Sequence, residues 1–309
     1  MKKIFPPSET LILDGATGTE LNRRGVDTGL PLWSANALLT DEGSRVLQDV
    51  HEDYLRAGAD ILTTNTFRTH VRALTPSGNA DRALALTRRA VDIARDAIAA
   101  VPSGRTRYVA GSISTLEDCY RPDLVPPEDE LRAEHSERVH HLLECGVDVF
   151  LIETINCIRE AGIIAKLATI TGTPVIVSFV CDRDGKILSG ESLTEAAREL
   201  LPLGISAIGV NCGPTPNLAK PLAELRSACP QDFPLIAYGN IGYADDEVGW
   251  VNTDAEKPSA YCEHAAHWPV KIVGGCCGTT PAHIARLAET IGTRMTRTPA
   301  LAPGASVSE

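Results

Sequence analysis

Eight short stretches of the chain are almost wholly apolar, at residues 10–14, 60–65, 108–112, 148–153, 174–180, 205–211, 234–238 and 270–274. They lack the polar alternation of a half-solvated strand, as expected for strands buried on both faces of a parallel sheet. Between them, apolar positions recur at helical spacing over 45–57, 80–99, 130–145, 158–169, 193–201, 218–228 and 281–290. Strand and helix therefore alternate from end to end at about 37 residues per unit, enough for a strand, a helix and two loops. The sequences Ala57-Gly58-Ala59-Asp60 and Cys145-Gly146-Val147-Asp148 repeat one junction, a helix-ending glycine that feeds a strand. The expected fold is α/β, a (β/α)8 TIM barrel forming a single domain over 1–296, with 297–309 as a flexible tail. An open doubly wound sheet is the alternative, but its Gly-x-Gly-x-x-Gly turn after the first strand is absent.

Composition narrows the class. The 309 residues are 43% hydrophobic and 22% charged, a globular profile with enough apolar material for a large core. Lys plus Arg is 29 against 40 Asp plus Glu, a formal charge of -11, and no basic block offers a surface for phosphates, so nucleic acid is excluded as a partner. No apolar run reaches the ~18 residues that span a bilayer, and the Lys2-Lys3 start lacks a secretory apolar region, so neither a membrane nor export is expected. The expected location is the cytoplasm.

In a barrel the active site lies at the carboxyl ends of the strands. Here those ends are polar: Asp14-Gly15-Ala16-Thr17 after the first strand, Thr64-Asn65-Thr66 after the second, Glu153-Thr154 after the fourth, Asn211-Cys212-Gly213 after the sixth, Gly239-Asn240 after the seventh and Cys276-Cys277-Gly278 after the eighth. The segments beginning at Cys212 and Cys277 both read Cys-Gly-x-Thr-Pro. Thr before Pro is a sound helix start, which accounts for those two residues and leaves the cysteines unexplained. Three thiols on strands six and eight can converge to ligand a zinc ion at about 2.3 Å. The other six, Cys119, Cys145, Cys157, Cys181, Cys229 and Cys262, occur singly and read as core or surface. Three thiolates leave zinc a poor Lewis acid for making hydroxide but suited to holding another thiolate, which points to alkyl transfer to sulfur. Two other readings use the same residues: a barrel lyase or aldolase with a structural zinc, which needs a fourth protein ligand, and a non-catalytic thiol- or zinc-binding protein.

The segments Leu13-Asp14-Gly15-Ala16-Thr17-Gly18-Thr19-Glu20-Leu21, Pro31-Leu32-Trp33-Ser34, Thr64-Asn65-Thr66-Phe67, Glu153-Thr154, Gly209-Val210-Asn211-Cys212 and Gly274-Gly275-Cys276-Cys277-Gly278 together resemble the homocysteine S-methyltransferase family over about residues 8–292. The resemblance implies a zinc-dependent barrel that methylates homocysteine to methionine, with Cys212, Cys276 and Cys277 as ligands and the zinc-activated substrate thiolate as the nucleophile. It places Glu153 against the amino group of homocysteine and Asp14 with the Gly15-Ala16 backbone against the same amino acid. Asn65 and Asn240 complete the substrate side, with Ser178 and Trp33 near it. In relatives the Asn240 segment often reads Pro-Asn-x-Gly and supplies a provisional metal ligand; Gly239 stands here in place of the proline. The donor is expected to be a small onium compound, a sulfonium first (S-methylmethionine, then S-adenosylmethionine), with the ammonium donor betaine as the alternative. The loop 111–120 departs from the short members of the family and is a candidate donor contact.

Overall fold

The computed structural model describes residues 9–245 and 249–295; the expectations for the N-terminal residues and the 297–309 tail lie outside them. Eight parallel strands form the barrel: β1 (Leu11–Ile12), β2 (Ile61–Thr63), β3 (Tyr108–Ile113), β4 (Val149–Ile155), β5 (Val175–Phe179), β6 (Ala207–Pro214), β7 (Leu235–Asn240) and, after a hairpin, β10 (Ile272–Gly275). Their order is β1-β10-β7-β6-β5-β4-β3-β2, and a parallel bridge from Leu13 to Ile61 brings the two ends together. This is the expected (β/α)8 barrel.

Strand parity explains its interior. Side chains alternate between the two faces of a strand, and one face supplies an inner cluster of Leu11, Leu13, Ile61, Ala110, Val149, Leu151, Ile176, Ala207, Ile236 and Ile272. The other face, with Phe150, Ile152, Val177, Ile208 and Val210, packs outward on the helices. Followed toward the carboxyl ends, the inward face passes from aliphatic to polar, with Thr63, Ser112, Glu153, Ser178, Asn211 and Tyr238 on six strands. The core thus becomes the floor of a site.

The helices form where the periodicity placed them, including α6 (Ile158–Thr169) to the residue. Ser192 and Glu195 close a capping box on α7 (Leu193–Leu200), and Thr40 caps α2 (Asp41–Arg56). Elements not expected include the short α1 (Gly18–Arg23), α9 (Pro258–Ala265) and the hairpin of β8 (Gly242–Asp245) with β9 (Gly249–Asn252). Strands β4 and β6 also run past their expected ends at 153 and 211. In each the pairing resumes after an irregularity, at Ile155 opposite Phe179 and at Pro214 opposite Asn240.

Candidate active site

Those irregularities shape the site. Alternation places Asn211 inward and would turn Cys212 outward. Instead Cys212 adopts φ 58° and Thr154 φ 57°, left-handed conformations that a side chain adopts only under constraint. The constraint is Asn211. Its Oδ1 accepts from the Thr154 N–H (3.0 Å) and the Ser178 hydroxyl (2.8 Å), while its Nδ2 donates to Thr154 Oγ1 (2.7 Å). One buried amide thereby ties β4, β5 and β6 together and holds both bulges, and the bulge after Asn211 turns Cys212 into the mouth.

There Cys212 meets the two cysteines that follow β10. Its Sγ lies 3.2 Å from that of Cys276 and 3.8 Å from that of Cys277. All three sulfurs lie within 4.8 Å of one another. Two thiolates bound to one tetrahedral zinc at about 2.3 Å stand ~3.8 Å apart, so the donor set fits the ion in both chemistry and spacing. All nine cysteines are free thiols. Hydrogen bonds from the other two thiols hold Cys212 well below the usual thiol range and push Cys276 up, so Cys212 ionises first.

Asn240 lies behind this cluster. Its Nδ2 donates to the Cys212 carbonyl at 2.8 Å and its Oδ1 accepts from the Cys277 N–H at 3.0 Å. Both ends of the amide brace the ligand loops, and Asn240 is not among the residues lining the cavity. The glycines allow this close assembly: a Cβ on Gly274 would stand 2.6 Å from that of Leu13, and Gly278 turns the chain at φ 83°.

Beside the sulfurs opens a cavity of about 290 Å³. Two carboxylates at its floor are nearly sealed from solvent, Asp14 at 1% and Glu153 at 8% exposure. Glu153 accepts from the Ser112 hydroxyl (2.5 Å) and the Tyr238 hydroxyl (2.9 Å). Asp14 accepts from the Thr63 N–H and hydroxyl, each at 2.8 Å. Burial pushes Glu153 up to about 7 and Asp14 up to about 8, the latter raised further by the charge of Glu153. No cation is paired with either among the described residues. Two buried carboxyls held only by neutral donors leave negative charge that a cationic group would compensate.

The Asp14-Gly15-Ala16 turn is fixed from behind, where the Tyr54 hydroxyl donates to the Ala16 carbonyl (2.9 Å) and the Ala16 N–H donates to Thr279 Oγ1 (3.1 Å). Asn65 lines the cavity and also donates to the Ser34 carbonyl at 2.8 Å. Trp33 forms a wall, its ring edge-to-face with Phe67 at 5.6 Å. Ser178 serves Asn211 and does not reach the lining. Sequence reasoning missed several participants. Thr63, Ser112 and Tyr238 hold the carboxylates, and strand parity alone would have placed them there. Tyr120, from the loop flagged as a donor contact, brings its hydroxyl to 3.3 Å from Cys212 Sγ. Cys119, read as core or surface, lines the cavity.

The fold and the site together place the protein among barrel enzymes that gather thiolates at the carboxyl ends of their strands. The family model for homocysteine S-methyltransferase matches residues 11–291, and the chain belongs to that family. It is 32% identical to the homocysteine S-methyltransferase of Escherichia coli K12, over 93% of this chain and 97% of that one. It is also 30% identical to a selenocysteine Se-methyltransferase of Brassica oleracea, over 88% and 86%. Among solved structures, the metallated form of the homocysteine methyltransferase MmuM from Escherichia coli matches with TM-score 0.78 at 29% identity, covering 91% of this chain and 96% of that one. The apo form of the same enzyme matches at 0.69.

Proposed function

We propose that the protein transfers a methyl group from a small onium donor to the thiol of homocysteine, with zinc held by Cys212, Cys276 and Cys277. The observation that carries this reading is the adjacency of three converging sulfurs and two uncompensated buried carboxylates in one cavity. Bound to the three sulfurs, zinc supplies the charge that keeps a fourth thiol ionised at neutral pH. The chain does the rest. Glu153, oriented by Tyr238 and Ser112, takes the ammonium of homocysteine, and Asp14 with the Gly15-Ala16 turn closes on the same head group. Asn240 keeps the Cys212 and Cys277 loops in register.

The thiolate lone pair forms the new S–CH3 bond as the donor's bond to that methyl breaks, and the electron pair stays with a neutral thioether or amine. No proton must reach the leaving group, so the site needs no general acid. Trp33 and Phe67 exclude water and present aromatic faces to the onium charge. S-methylmethionine is the first donor of this reading, S-adenosylmethionine the second and betaine the alternative. Nine free thiols suit a reducing cytoplasm. The test is a donor screen in which zinc-loaded protein and homocysteine are incubated with each compound and methionine is measured. Methionine from betaine but from neither sulfonium overturns the donor order; none from any donor overturns the reading.

A further inference from the structure

Among the described residues, the cavity lining has one cationic side chain, Arg68, on the loop that follows β2. Its guanidinium donates to the Pro31 carbonyl at 3.3 Å and forms no ion pair among the described residues. Other arginines here are satisfied differently: Arg105 pairs with Asp60 at 2.7 Å, Arg72 with Glu117 at 2.7 Å and Arg24 with Asp53 at 2.8 Å. A guanidinium has five N–H donors in a fixed fork that matches a carboxylate. Arg68 has most of these left over, at the edge of a cavity built to take small charged molecules.

Its place indicates whose carboxylate it meets. The ammonium of homocysteine is assigned above to Asp14 and Glu153. Arg68 follows Phe67 and donates to the 31–34 segment at Pro31, and its charge is felt at the Cys119 thiol of the β3 loop. This is the side of the aromatic wall made by Trp33 and Phe67. A donor lying with its onium group on that wall and its methyl toward the sulfurs would extend its remaining chain to Arg68.

We propose that Arg68 is a specificity-determining residue that pairs with a carboxylate on the methyl donor, so that the protein selects carboxylate-bearing onium compounds over onium compounds without one. The proposal rests on the methyl-transfer reading above and adds to it the residue that recognises the donor's carboxylate.

The test compares S-methylmethionine with its carboxamide, which keeps the sulfonium and leaving group and removes the negative charge. Wild-type protein should prefer the acid by about tenfold to a hundredfold in kcat/KM, chiefly through KM, as expected for a charged hydrogen bond. Arg68→Gln should erase the preference by raising KM for the acid alone, and Arg68→Lys should restore part of it. Calorimetric affinity for homocysteine and zinc content should be unchanged in Arg68→Gln. The proposal is overturned if Arg68→Gln keeps the preference, if it weakens homocysteine instead, or if both variants lose zinc and fold. Should wild-type protein transfer methyl from neither compound, the methyl-donor reading fails separately. Arg68 is then judged by calorimetric binding of the two compounds to the homocysteine complex, where equal affinities overturn its role.

Discussion

The Tyr238 hydroxyl donates to Glu153 Oε2 at 2.9 Å, joining β7 to β4 across the mouth of the barrel. Neither residue is near the other in sequence, and they meet because both end an inward-facing column. The bond favours the ionised form of a carboxyl that burial, even with this bond in place, holds up at about 7.

Tyr238→Phe should therefore weaken homocysteine binding. Without the hydroxyl the Glu153 pKa rises further, and a larger fraction is neutral at physiological pH when the ammonium arrives. The loss of one such bond corresponds to about 1 kcal/mol, roughly fivefold in affinity by calorimetry. In wild type, affinity should climb as pH rises through about 7. A flat profile from about pH 6 to about pH 8 would exclude Glu153 as the ammonium receptor.

The same carboxyl should cost stability in the empty protein. Its folded pKa, about 7, lies above the ordinary glutamate value of 4.5, so the folded state binds the proton more tightly. The associated stability is full below the unfolded value and is lost as pH rises through about 7, to a total on the order of 3 kcal/mol. Glu153→Gln keeps the shape and removes the titration. Its melting temperature should fall by less than that of wild type between about pH 5 and about pH 8, while its homocysteine affinity drops and its zinc stays. Parallel melting profiles for the two proteins would show that the carboxyl is not buried uncompensated.

Much of this site is legible in the strand pattern. Leu151 and Glu153 share a parity, as do Ile236 and Tyr238, so a barrel with those strands must bring both polar ends to one mouth. Cys276 follows from the same rule. Cys212 does not, because parity turns it away, and it reaches the mouth through a bulge held by a long-range bond from Asn211 to Thr154. Such a bond joins residues 57 apart and leaves no local signal. Helix α9 escaped for a different reason: its buried positions, Tyr261, Cys262 and Ala265, are too few to set a period. Tyr120 came to the sulfurs on a loop, where neither period applies.

Asn240→Ala should lower zinc affinity without unfolding the barrel. The amide satisfies the Cys212 carbonyl and the Cys277 N–H at once, so removing it frees the loops that carry two of the three sulfurs. Loss of a residue that orients metal ligands typically weakens binding by about 10- to 100-fold. Competition with a chelator of known affinity measures it, with circular dichroism as the control. Unchanged affinity would mean that the cysteine loops hold their geometry without the brace.

Single Cys→Ser changes at positions 212, 276 and 277 should each cut zinc from about one ion per chain to a small fraction of that. A serine hydroxyl is not ionised at neutral pH and is a poor zinc ligand, so each change leaves two sulfurs where three converge within 4.8 Å. The three variants should then differ in stability without metal. Cys276 and Cys277 have ordinary backbone conformations, whereas Cys212 sits at φ 58°. A glycine there relieves strain on the order of 1 kcal/mol. Cys212→Gly is accordingly expected to lose zinc as completely as Cys212→Ser and yet, metal-free, to melt higher than it. Metal analysis and melting curves of the stripped proteins decide both points. If all three serine variants keep full zinc and full methyl-transfer activity, the three sulfurs are not the metal site.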